Sequence, residues 1–210
     1  MVVGIVLAAG ESKRMGRPKA LLTINSKTFI RHVVETLKAA GLDIIIVVLG
    51  ADAETVEPEL VGLDVTIAIN ENHKAGQLSS IQKGIEAAHQ FSPDAVIIHP
   101  IDHPLVHPET VSAILRQFKS SSNPIILPTH KGKRGHPVLF SSSVFDDLMN
   151  APNEVGARAV VWNRAAAVHE LLTNDEQVLL NVDTPEFYKL VEQEFNARPS
   201  QGSPDKEISG

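Results

Sequence analysis

Apolar and polar residues fall into blocks along this chain, and the spacing within each block predicts an element. "VVGIVLA" (2–8) is an unbroken apolar run rich in β-branched residues, which predicts a buried strand. In 28–41 the apolar residues stand at 29, 30, 33, 34 and 37, the spacing of one helical face, with Gly41 as a stop. The runs 43–50, 64–70 and 94–100 predict three further buried strands. Between them, 51–60 reads as a short helix interrupted near Pro58, and 77–90 places Leu78, Ile81, Ile85 and Ala88 on one helical face. Residues 107–118 predict a helix with Pro108 in its first turn. The second half is less regular. It predicts strands at 124–128 and 137–140, helices at 142–149 and 156–163, strands at 167–172 and 178–182, and a closing helix at 184–195 with Thr184 as N-cap and Pro185 at its first position. From 196 to 210 apolar residues nearly vanish, which predicts a disordered tail behind a domain at 1–195.

This alternation predicts an α/β architecture, a mostly parallel sheet with helices on both faces. Ligands of such sheets bind beyond the C-terminal strand ends. The segments after Ala8, Asn70, His99 and Val182 are therefore the places to look. A length of 210 residues with 43% hydrophobic content suits one domain with a real core. The absence of cysteine excludes disulfides and thiolate metal sites. The apolar N-terminus has no basic lead, and charged residues follow at once, so it reads as a strand and not a signal peptide. No apolar run approaches the ~20 residues of a membrane span. A cytoplasmic protein that binds neither membrane nor nucleic acid is expected, because a general nucleic-acid binder is usually basic and the net charge here is −6.

Against that acidic average, "LAAGESKRMGRPKALL" (7–22) gathers Lys13, Arg14, Arg17 and Lys19 in one loop after the first strand. Glycines there let backbone N–H groups approach an anion. Arginine grips phosphate oxygens bidentately and lysine adds a compact charge. A solvated basic loop is the plain alternative; the position after the first strand favours phosphate binding. A P-loop requires G-x-x-x-x-G-K-[ST], and Gly10 and Gly16 are followed by Arg17-Pro18 instead. The dinucleotide pattern G-x-G-x-x-G is absent as well.

The stretch resembles the L-A-[AG]-G-x-S-x-R-M-G-x-P-K signature of the MobA-like nucleotidyltransferases. Leu7, Ala8, Ala9, Gly10, Ser12, Arg14, Met15, Gly16, Pro18 and Lys19 all match. The resemblance implies a three-layer α/β/α sandwich with a mostly parallel, Rossmann-like sheet, the GT-A-type nucleotidyltransferase fold. It implies that Leu7, Ala8, Ala9, Gly10, Ser12 and Gly16 hold a nucleoside triphosphate. Arg14 and Lys19 would be the catalytic cations, stabilising charge on the α-phosphate and the departing pyrophosphate. Gly76, Gln77, Ser79 and Ser80 are similar to the family's base-contacting segment, where an ordinary helix start is the plain alternative. Asp102 in "HPIDHPLV" and Asp183 in "NVDTPEFY" match the family's Mg²⁺ carboxylates, although His103 departs from its usual pattern. Each Asp could instead cap the helix after it. His99 and His103 suggest a transition-metal site, but such a site needs a third ligand.

"KRGHPVLF" (133–140) resembles the molybdenum-cofactor cytidylyltransferase branch of the family and implies acceptor contacts from Arg134, Gly135 and His136. The segment 154–161 resembles that branch too. The expected reaction is Mg²⁺-dependent transfer of CMP from CTP to a phosphorylated acceptor such as molybdopterin, with pyrophosphate leaving. The product would pass to a molybdoenzyme or its chaperone. Ala9 favours CTP, since the guanylyl branch usually has glycine there. A sugar- or polyol-phosphate nucleotidyltransferase, a non-catalytic pterin carrier and an NAD-binding domain are the alternatives.

Overall fold

In the computed structural model, which describes residues 1–196, the first apolar run forms β1 (Val2–Ala8) at the middle of the sheet. A small hairpin, β2 (Thr23–Ile24) and β3 (Lys27–Thr28), leads into α1 (Phe29–Ala39). Then come β4 (Ile45–Leu49), α2 (Ala53–Val56), β5 (Thr66–Ile69), α3 (Gln77–Ala88), β6 (Ala95–Pro100) and α4 (Pro108–Ser120). The second half adds β7 (Ile125–His130), β8 (Lys133–Arg134), β9 (Val138–Ser141), α5 (Phe145–Met149), α6 (Arg158–Asn163), β10 (Val168–Leu172) and α7 (Pro185–Asn196).

The strands lie in the order β10-β7-β9-β6-β1-β4-β5, with β8 paired to β7. β1 runs parallel to both β4 and β6, whereas β9 is antiparallel to β6 and β7. The chain winds outward from β1 through β4 to β5, then crosses to β6 on the other side of β1. That reversal opens a crevice at the C-terminal ends of β1 and β6, the place where ligands of such sheets bind. Along β1 the side chains alternate between the two faces, as a strand of period two requires. Val6 and Ala8 join the core under α1 and α4, while Val3, Ile5 and Leu7 join the one under α3 and α5. This is the expected three-layer arrangement. Among the described residues no helix is long and apolar enough to cross a membrane.

The expected strand at 178–182 does not form. Residues Glu176–Leu179 make a 3₁₀ turn, nucleated by the buried Asp175, whose Oδ1 accepts from Gln177 N at 3.0 Å. The backbone groups of this run are engaged by loops: His136 N donates to Val178 O (3.0 Å) and Val182 N to Asp102 O (2.9 Å). The closing helix reaches Asn196, whose Oδ1 accepts from Asn25 N at 2.7 Å, so Asn196 ends α7 and does not begin the expected tail. The rest of that tail, 197–210, lies outside the described residues.

Candidate active site

The loop after β1 folds back on Ser12. Ser12 takes a left-handed conformation (φ 48°) and its carbonyl accepts from Met15 N at 2.8 Å. Its hydroxyl accepts from Lys19 N at 3.0 Å. Gly16 turns the chain with φ 67°, a conformation cheap for glycine. The four cations then part company. Lys13 pairs with Glu11 at 2.5 Å, and Arg17 lies over the Tyr188 ring at 5.5 Å. Lys13, Arg14 and Lys19 line a cleft of 390 Å³ at the ends of β1 and β6, and of these Arg14 and Lys19 reach Asp183.

A third apolar cluster decides what stands opposite them. Met15 of the loop, Leu22 and Ile24 near the hairpin, Phe29 of α1, and Val182, Tyr188 and Val191 around α7 pack together. The Tyr188 hydroxyl lies 2.8 Å from Thr23 O, and its ring meets Phe29 edge-on at 6.1 Å. This docking carries Asp183 to Lys19, with which it forms a close ion pair. Lys19 Nζ is also 3.6 Å from Asp102 Oδ2, and Arg14 Nη2 is 3.6 Å from Asp183 Oδ2. Burial raises the Asp183 carboxyl pKa, but the hydrogen bond and charge of Lys19, with Arg14 behind it, outweigh burial and hold it below the usual carboxylate range.

The two carboxylates thus converge on one ammonium, and Asp102 Oδ1 is buried without a hydrogen-bond partner. A hard divalent cation fits this donor set, because Mg²⁺ takes one or two carboxylates and completes its shell with phosphate oxygens and water. No three metal-binding side chains converge among the described residues. Neither Asp caps a helix. Thr184 Oγ1 accepts from Phe187 N (3.2 Å) at the start of α7. At the start of α4, Asp175 accepts from His107 N (2.9 Å) and Thr110 Oγ1 (2.8 Å).

On the β4–β5 side, Gly76, Gln77 and Ser80 line the cleft, at the start of α3. Ser79 turns inward instead: its hydroxyl bonds Asn72 O (3.0 Å) and Gly76 O (2.8 Å). Asn70, at the end of β5 and buried, donates from Nδ2 to Ser79 Oγ (2.9 Å) and Ser80 Oγ (3.0 Å). Ser79 and Asn70 therefore shape this wall of the cleft without lining it, and Gly16 likewise shapes the loop from outside the cleft. The sequence reading missed Asn70, Asp52 and His73; the last two line the cleft directly.

A second cavity of 580 Å³ adjoins the first, and Leu7, Gln77 and Pro100 line both. Arg134, Gly135 and His136 line this second space. Arg134 is held by Glu170, with Nε at 2.8 Å and Nη2 at 2.7 Å from Oε1. Gly135 packs so closely that a Cβ there would stand 2.5 Å from Val178 O. The His136 ring is tilted against that of His103, centroids 4.8 Å apart. Burial first, then the neighbouring charges of His103, His99 and Arg158, lowers the His136 pKa to about 3. His99 is likewise lowered to about 3, chiefly by burial, and burial pulls His103 down against the pull of Asp102. Of the three rings only that of His136 lines the second cavity, with His103 stacked behind it.

Comparison with known proteins agrees with this geometry. Residues 4–171 match the family described as the MobA-like NTP transferase domain. The chain belongs to that family. The transferase is 29% identical over 203 residues to nicotine blue oxidoreductase of Paenarthrobacter nicotinovorans, covering 90% of this chain and 96% of that protein. It is 28% identical over 191 residues to a probable molybdenum cofactor guanylyltransferase of Bacillus mycoides, covering 88% and 92%. Among solved structures it superimposes on Rv0371c of Mycobacterium tuberculosis with a TM-score of 0.80 and 27% identity, covering 91% and 97%. A second structure of that protein is a complex with manganese, with a TM-score of 0.72, 27% identity and coverage of 91% and 98%.

The family's loop depends on a close contact in this transferase. A Cβ on Gly50, just after β4, would stand 2.5 Å from Ala9 O and 2.9 Å from the His73 Cβ. Gly50→Ala forces the backbone at the start of the loop after β1 to move. Overpacking of this kind costs ~1–3 kcal/mol, so a lower melting temperature is expected together with weaker nucleotide binding. Thermal melting with and without CTP checks both; an unchanged response to CTP would mean that the loop tolerates the shift.

Proposed function

We propose that this transferase moves CMP from CTP to a phosphorylated acceptor of the molybdopterin type and releases pyrophosphate. The observation that carries the reading is the join between the two cavities. One holds Arg14, Lys19, Asp102 and Asp183, and the other continues past Leu7, Gln77 and Pro100 to the 134–136 loop. A triphosphate in the first places its α-phosphorus beside an acceptor entering from the second. An acceptor phosphate oxygen attacks that phosphorus in line. The new P–O bond forms as the bond to the bridging oxygen breaks, and its electron pair leaves with pyrophosphate. A phosphate acceptor is already ionised, so no general base is required, in keeping with the neutral histidines nearby. Catalysis is then positioning and charge neutralisation.

In this reading Lys19 releases its carboxylates and turns to the phosphates, while Arg14 closes from the exposed side. Asp102 and Asp183 would hold Mg²⁺. When bound, it neutralises negative charge on the triphosphate and the departing pyrophosphate. CTP is favoured by Ala9 and by the RGHPVLF loop, and the cytoplasm, with delivery to a molybdoenzyme or its chaperone, belongs to the same reading.

Pyrophosphate release tests it, with CTP and GTP side by side, Mg²⁺ present and molybdopterin as acceptor. The expected result is a higher kcat/KM for CTP. A GTP preference would overturn the base assignment. NADH oxidation, measured in parallel because one relative is named as an oxidoreductase, is expected to be absent; its presence without pyrophosphate release would replace nucleotidyl transfer with hydride chemistry.

A further inference from the structure

The second cavity has a wall that the transfer reaction leaves unexplained. Its floor is apolar, with Leu127, Val138 and Phe140 rising from the sheet. Its outer wall is α6, which turns Arg158 and Trp162 onto the cavity together. Four residues apart, they share one helical face. Trp162 is the sole tryptophan of the chain and is 61% exposed. A large ring left at water beside an apolar cavity is a surface suited to a planar ligand.

The lining carries two arginines, Arg134 and Arg158, and one carboxylate, Glu154. Arg134 is paired with Glu170 and Arg164 with Asp147, at 2.6 Å. Arg158 has no acidic partner among the described residues, so its guanidinium is the one on this wall left for an anion. Its charge is felt at His136, the side of the cavity that leads to the phosphate cleft. Trp162, one turn on, stands at the exposed rim. The cavity volume of 580 Å³ is that of a ring-sized ligand.

We infer that Trp162 and Arg158 form an acceptor clamp, the indole stacking on a planar heteroaromatic ring and the guanidinium pairing with the phosphate that ring carries. The identification rests on the transfer reading above for the direction in which the phosphate points, and it assigns the acceptor's class from this chain's own wall. The indole fixes the ring and the guanidinium fixes the phosphate, so an acceptor lacking either part binds weakly.

The test titrates the full chain with neopterin phosphate, a pteridine bearing a phosphate ester, and follows the emission of Trp162. Neopterin and glucose 1-phosphate run alongside. Saturable quenching by neopterin phosphate is expected, with weaker responses when either the ring or the phosphate is missing. By calorimetry, Trp162→Ala and Arg158→Ala each weaken neopterin phosphate binding by ~10-fold or more, the scale of one lost ring-stacking contact. Trp162→Phe restores much of it, and CTP binding stays at the wild-type value in all three variants. An emission that does not respond, or wild-type affinity in both alanine variants, overturns the clamp. Glucose 1-phosphate binding that falls equally in both variants also overturns it, in favour of a sugar phosphate. Pyrophosphate release separates this from the transfer reading. If no acceptor supports release from CTP while Trp162 still responds to neopterin phosphate, the transfer reading falls and the clamp stands. If release proceeds and both alanine variants keep the wild-type KM for neopterin phosphate, the clamp alone falls.

Discussion

Lys19→Ala is expected to lower turnover by at least ~10²-fold, the ~2.7 kcal/mol lost when a preorganised contact to developing charge is removed. The Lys19 side chain is only 13% exposed and sits between Asp102 and Asp183. Its backbone N–H is fixed by Ser12 Oγ, so the residue is placed by the loop and not by chance. Removing it does two things. In the proposed reading the triphosphate loses a cation, and two carboxylates are left facing one another without their shared counter-charge. The variant should therefore gain more thermal stability from added Mg²⁺ than the wild type does, since a divalent ion replaces the missing charge. Arg14→Ala gives the cleaner comparison. Its side chain is 70% exposed and its 3.6 Å pairing with Asp183 is a surface contact, worth ~0–1 kcal/mol at most. The fold should be unaffected while turnover falls by a similar factor. Pyrophosphate release and melting temperature, measured on both variants, check the pair of claims. Near-wild-type turnover in Arg14→Ala would remove the loop from the chemistry.

Asp102→Asn and Asp183→Asn are expected to fold normally and to be nearly inactive. From the sequence alone each Asp could have been a helix cap, and Asn caps almost as well as Asp. Thr184 and Asp175 already serve the starts of α7 and α4, which leaves the two carboxylates facing Lys19 and, in the proposed reading, a cation. Replacing either with Asn keeps the shape and removes one charge. Mg²⁺-dependent NTP binding should weaken by ~10-fold or more in each, the order seen when groups that support a metal are altered. Calorimetric titration of CTP with Mg²⁺, run beside pyrophosphate release, reads this directly. If both variants bind and turn over CTP as the wild type does at ordinary Mg²⁺ concentrations, the metal and the mechanism lie elsewhere.

The parts of this molecule that were legible in sequence are those written in short spans. A buried parallel strand is a continuous apolar run, so β1, β4 and β6 could be read directly, and α1 and α3 followed from their apolar faces. The loop after β1 was legible because its geometry is local: Ser12 holds the backbone N–H groups of Met15 and Lys19, and Gly16 turns the chain between them. The run at 178–182 was misread for a related reason. Five mostly apolar residues look alike in a strand and in a buried turn, and what decides between them is whether a neighbouring strand or a loop takes their N–H and C=O groups. What the Arg134 side chain pairs with was settled in the same way, by Glu170, 36 positions away.

Residue order alone determined the strand–helix alternation, the cationic loop after β1 and the presence of candidate carboxylates. Only the tertiary structure decided which of the four cations reach the carboxylates, turning Arg14 and Lys19 to Asp183 and Arg17 to the Tyr188 ring. It alone brought Asp183 to Lys19 across 164 positions, through the packing of Met15, Tyr188 and Val191. It also gave Asn70 its task, and left Arg158 without an acidic partner among the described residues, beside Trp162. Local spacing sets backbone conformation, because those forces act within a turn or two. Charge pairing and cavity walls depend on which distant side chains meet, and that is settled only when the apolar clusters close.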